Sequence, residues 1–215
     1  MFGHAWVAAG LVLWLPAFEP TFAASIEAET LDRIAVSVGH EVITESQVIL
    51  DLRVAAFLDR KPVDLSGAAK RQAAERLVDQ ILILREAADS HVTLPSTEAS
   101  AGLVAPYAAE SDYQAELKRY GITEHDLADH LLAGLRTLTF TDLRFRPDVQ
   151  VSPEDIRSYY DKLPSSAAAP KPSFEDSRDQ IEKLLTEQRV DEALDQWLVT
   201  ARKEANIRYR DKAFE

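Results

Sequence analysis

The 215-residue sequence predicts a mainly α protein carrying one small β-hairpin paired to a C-terminal strand. Three observations lead there. Apolar residues recur at helical spacing through most of the chain between Thr44 and Ala205, broken by short polar stretches. Ahead of them, "DRIAVSVGHEVIT" alternates through Ile34, Val36 and Val38, pauses at Gly39-His40 and resumes with Val42 and Ile43, the pattern of a tight hairpin. Near the end, "NIRYR" alternates Ile207 and Tyr209 with Arg208 and Arg210. A two-stranded hairpin is marginal alone, so this segment is its predicted third strand and the two ends meet.

The first 24 residues precede that fold. "AWVAAGLVLWLPAF", Ala5 to Phe18, is an uncharged apolar run of signal-peptide length, and "TFAA" after it offers small residues for cleavage after Ala23 or Ala24. The leading "MFGH" lacks the usual Lys or Arg. Pro16, Glu19 and Pro20 interrupt any longer membrane helix, and no Cys follows for lipid attachment, so residues 1–24 read as an export signal without stable membrane insertion.

The helices follow in order. "TESQ", Thr44 to Gln47, is a capping box opening "VILDLRVAAFL". In "AAKRQAAERLVDQILILREAAD", Leu77, Ile81, Leu84 and Ala88 form a stripe that Val78 and Leu82 widen, which predicts a long helix with that stripe facing the core. Further helices are predicted to begin at Ser96, at Ser111 with Gln114 completing a box, and at Thr123, with Gly121 as a stop. "SPEDIRSYYDKL" has Ser152 as N-cap, Pro153 at the first helical position and acidic residues in the first turn. After the Pro/Ala/Ser stretch "KLPSSAAAPKP", residues 162–172, comes a helix of about thirty residues without Pro or Gly. Its apolar set shifts face near Gln188, so it packs on more than one neighbour and then delivers the last strand to the hairpin.

Composition narrows function mostly by exclusion. The 36 acidic against 24 basic residues give a formal charge of −12, which disfavours nucleic acid and anionic membrane surfaces. Without cysteine there is no thiol nucleophile, disulfide or thiolate metal site. None of the seven glycines forms a phosphate-binding loop or a nucleophile elbow. In "EHDLADH", His125 and His130 are about 140° apart around a helix, wrong for two ligands on one face, and the segment reads as a solvated acidic helix start. No cofactor or catalytic residue is expected. The aromatic content offers candidates for binding apolar peptide, namely Tyr107, Tyr113, Leu138, Phe140, Phe145 and Tyr159, of which Leu138, Phe140 and Phe145 lie within "LRTLTFTDLRF"; the same side chains equally suit a helical core.

"LDRIAVSVGHEVITESQVILDLR", "AAERLVDQILILREA", "YQAELKRYGITEHDLADHL" and "VSPEDIRSYYDK", in that order, resemble successive signatures of SurA-type periplasmic chaperones, whose N-terminal module is similar to the peptide-binding part of trigger factor. "RDQIEKLLTEQRVDEALDQWLVTARKEANIRY" resembles the C-terminal helix and strand that complete that module. The resemblance implies a chaperone module over residues 25–161, completed by 173–215. In that family a parvulin-type prolyl isomerase domain is inserted between the two parts, where residues 162–172 stand here. A domain needs roughly 100 residues, so the resemblance implies a chaperone core without its isomerase. The implied function is an ATP-independent periplasmic holdase for unfolded envelope or outer-membrane proteins. The alternatives are a prolyl isomerase, as in full-length relatives, or a dedicated assembly partner.

Overall fold

Thr44 is the joint between sheet and helices. Its hydroxyl accepts from the Gln47 amide while the Gln47 side chain accepts from the Thr44 amide at 2.9 Å, so strand β2 (Glu41–Thr44) turns directly into helix α1 (Glu45–Asp59). The computed structural model describes residues 32–164 and 171–215. The export signal, its cleavage site and the centre of the Pro/Ala/Ser stretch lie outside the described residues. Helix α1 is followed by α2 (Gly67–Asp89), α3 (Ser100–Ala108), α4 (Tyr113–Tyr120), α5 (Glu124–Arg144), α6 (Pro153–Lys162) and α7 (Phe174–Glu204). The architecture is therefore mainly helical with a small antiparallel sheet.

That sheet has the order β2, β1 (Ile34–Val38), β3 (Ile207–Tyr209). Val38 pairs with Glu41 across the hairpin, and Gly39 occupies the turn at φ +59°, a conformation that a side chain disfavours. On the other side Val36, Ser37 and Val38 pair with Tyr209, Arg208 and Ile207, which joins the two ends of the fold as the alternation predicts. The short turn after β3 packs onto the start of α2, so closely that a Cβ at Gly67 would collide with the Phe214 carbonyl.

Apolar burial falls into three clusters. Beneath the sheet, Ala35, Val36, Val38 and Ile43 meet Val48 of α1 and Ala73, Ala74, Val78 and Leu82 of α2. Val54, Tyr113, Leu117, Tyr120 and Leu127 join α1, α4 and α5. Ile83, Ala87, Phe140, Phe145 and Val190 join α2, α5 and α7. Full burial of a side chain of this size contributes about 1.5–3 kcal/mol, so these clusters hold the helices more than any surface ion pair does.

Three helix predictions change in detail. On α2 the buried face runs through Ala74, Val78 and Leu82 with Ile83 and Ala87, whereas Leu77 and Ile81 are half-buried, and Leu84 is 42% exposed. Helix α4 begins at Tyr113 behind Asp112, without the box predicted at Ser111; residues 109–112 instead turn back from α3, with Glu110 donating its amide to the Tyr107 carbonyl at 3.0 Å. At Ser96 the chain makes only a 3-10 turn over Thr97–Ala99 before α3. The caps at Thr123 and Ser152 form as full capping boxes, and Gly121 ends α4 at φ +65°.

The change of face along α7 has a packing cause. Its first half lies against α6, where Arg189 reaches Asp155 at 2.8 Å; its second half lies against α5 and α2, where Trp197 packs on Phe140 and Arg202 pairs with Asp79 through both carboxylate oxygens. At the other end of α6, Tyr160 donates to the Pro172 carbonyl at 2.7 Å and stacks edge-on against Phe174, so α6 and α7 run antiparallel.

Candidate functional site

Three helices and one strand edge enclose an open groove of about 420 Å³. Each helix contributes one stripe at i, i+3, i+4 and i+7, the spacing that places four side chains on one face. From α1 come Gln47, Leu50, Asp51 and Val54; from α2, Leu77, Gln80, Ile81 and Leu84; from α5, Asp126, Asp129, His130 and Ala133. Glu41, Val42 and Ile43 of β2 close one side. The capping boxes at Thr44 and Thr123 set where α1 and α5 begin, and hence which stripes turn inward.

The apolar part of the lining is Val42, Ile43, Leu50, Val54, Leu77, Ile81, Leu84 and Ala133. Val42 is 49% and Leu84 42% exposed, so large apolar side chains meet solvent at its lip. Covering such surface returns about 25 cal/mol per Å². The charged part is one-sided: Glu41, Asp51, Asp126 and Asp129 line the groove and no Lys or Arg does.

Asp51 anchors this wall. It is 6% exposed, accepts from Arg76 of α2 at 2.6 Å and stands 3.2 Å from Nδ1 of His130 on α5. Burial alone would push its carboxyl up, but the bonds to His130 and Arg76 outweigh it and hold the group below the usual carboxylate range. One carboxylate thus ties together the three helices that form the groove. Elsewhere, Glu41 pairs with Arg85 at 2.8 Å, Asp126 serves the Thr123 cap, and His125 turns the other way to Asp129 at 3.4 Å. The two histidines of "EHDLADH" therefore point to different acids. Among the described residues no three His, Cys, Asp or Glu side chains converge as a metal site, and no helix is long and apolar enough to cross a membrane.

The six residues nominated from sequence do not gather here. Phe140 is fully buried and Phe145 is 8% exposed; they pack edge to face at 5.8 Å, with Trp197 against both. Tyr113 is 5% exposed beneath Phe57. Phe140 and Phe145 fill the core where α2 and α7 cover α5, and Tyr113 fills it where α4 packs on α1, so none of the three offers surface to a peptide. Tyr107 is half-buried against Phe57 and Tyr159 half-buried on α6, while Leu138 is 66% exposed on α5 but outside the groove. What sequence reasoning misplaced is the Leu77-Ile81-Leu84 stripe of α2, expected to face the core and found lining the groove. An apolar arc holding both Leu77-Ile81-Leu84 and Ala74-Val78-Leu82 is wider than one packing partner needs, and that excess was the signal.

No family model matches this chain, and no curated protein matches it.

Proposed function

We propose that this protein is an exported, ATP-independent holdase that binds extended apolar segments of unfolded envelope or outer-membrane proteins in the groove between β2, α1, α2 and α5. The observation that carries the reading is the open groove with Val42 and Leu84 exposed at its lip beside half-buried Leu77 and Ile81. Monomeric proteins rarely leave apolar residues clustered at a concave surface without a partner for them. The resemblance to SurA-type chaperones and the apolar N-terminal run support the same reading. Weak, reversible capture follows from the open shape, since an occupant keeps much of its surface in water, and the −12 charge keeps the complex soluble. No isomerase chemistry is assigned to the chain.

The test is light scattering while a urea-denatured outer-membrane barrel protein is diluted into buffer with the purified protein and no nucleotide. Suppression at near-stoichiometric amounts is the expected result. Unchanged scattering from folded protein would defeat the holdase reading for this client class.

A further inference from the structure

The free edge of β2 opens into the groove. Glu41, Val42 and Ile43 are consecutive, yet all three line it. Consecutive side chains of a strand point to opposite faces, so a space that touches all three meets the strand at its edge. The sheet order β2, β1, β3 leaves that edge unpaired within the sheet.

Hydrogen-bond parity identifies the groups it presents. On the β3 side, Ala35 accepts from the Arg210 amide at 2.8 Å and Gly39 donates to the Asn206 carbonyl at 2.9 Å. Odd-numbered residues of β1 therefore serve β3, and Val36 and Val38 serve β2, where they stand opposite Ile43 and Glu41. Val42 stands opposite Ser37, and at such a position an antiparallel strand turns N–H and C=O away from its neighbour. Thr44 has the same parity, and its amide bonds to Gln47 rather than to β1. Between the described residues no backbone bond reaches the outward groups of Val42. The charges around this edge also select. Glu41 and Asp51 have arginine partners, but Asp129 is 61% exposed with only His125 beside it, and no Lys or Arg lines the groove.

We propose that the groove takes its occupant as a fourth strand: an extended apolar segment carrying Lys or Arg, main-chain bonded to Val42 and resting its side chains on Leu77, Ile81 and Leu84. This rests on the peptide-binding reading above and says how the peptide is held. Main-chain pairing is indifferent to sequence, which suits a protein that meets many clients, while the acidic wall disfavours acidic segments.

The experiment titrates the purified protein into a fluorescein-labelled peptide of alternating Val and Lys. Two further versions are N-methylated along one edge or the other, and a third has Glu for Lys. One N-methylated version is expected to weaken binding about tenfold, the worth of one or two net hydrogen bonds, with the other near the parent. The Glu version is expected to weaken it by a similar factor. Val42→Pro should also lose affinity, since it removes an N–H that β1 does not use; if that variant misfolds, the N-methylated pair still decides. Equal binding of both N-methylated versions, with the parent bound, would overturn strand addition and leave the groove reading standing. Equal binding of the Glu and Lys versions would overturn the charge preference. Failure of the parent to bind would sink the groove reading itself. Peptide-competed dimerisation would assign the edge to a second copy and overturn the proposal.

Discussion

Phe140 is enclosed by Phe145 and Trp197 and has no exposed surface, so Phe140→Ala leaves a cavity where three aromatic rings meet. A loss of about 3–5 kcal/mol in urea unfolding is expected. Leu84 is the contrasting case: Leu84→Asp removes an apolar side chain already 42% exposed, so stability should move by less than about 1 kcal/mol while client affinity falls about tenfold. Similar stability losses in the two variants would mean that Leu84 is core and not groove. The reason these roles were illegible is that aromatic identity and periodicity report apolarity and face, but not whether a neighbouring helix covers that face. Phe140 is covered because α7, about fifty residues on, returns to it. No local pattern carries that information. Capping, by contrast, was legible at Thr44, Thr123 and Ser152, where the bonded groups lie within three residues. It failed at Ser111, where the preceding turn from α3 decides where α4 begins.

At the scale of elements, α1, α2 and α5 converge on one carboxylate. Asp51 is held below its ordinary range by His130 and Arg76 against the cost of burial. A group whose folded pKa is depressed stabilises the fold above its unfolded value and loses that contribution as pH falls through the folded one. Stability is therefore expected to fall as pH drops from about 4, and Asp51→Asn should be less stable at neutral pH yet show a shallower acid dependence. Urea titrations from pH 6 to pH 3 measure both. A parallel pH profile for the variant would mean that the depressed carboxyl is not Asp51. The sheet was legible for a different reason: its three strands alternate visibly, and a hairpin needs a third member, so Ile207–Tyr209 was the remaining choice. The groove was not, because it exists only where stripes from three helices and a strand edge face one another across long sequence separations.

On the scale of the whole molecule, β1 and β3 bring the two ends of the described fold together, α7 spans from α6 to α2, and the groove lies beside β2, lined by neither α6 nor α7. The proposed holdase binds unfolded chains at the groove and not wherever apolar side chains are exposed. Val199 on α7, 51% exposed and outside the groove, provides the comparison with Leu84. The most direct measurement places a photoreactive amino acid at Leu84 or at Val199, adds a urea-denatured outer-membrane barrel protein by dilution, irradiates, and quantifies the adduct. Strong cross-linking from Leu84 with little from Val199 is the predicted result; equal yields from both positions would contradict a dedicated groove.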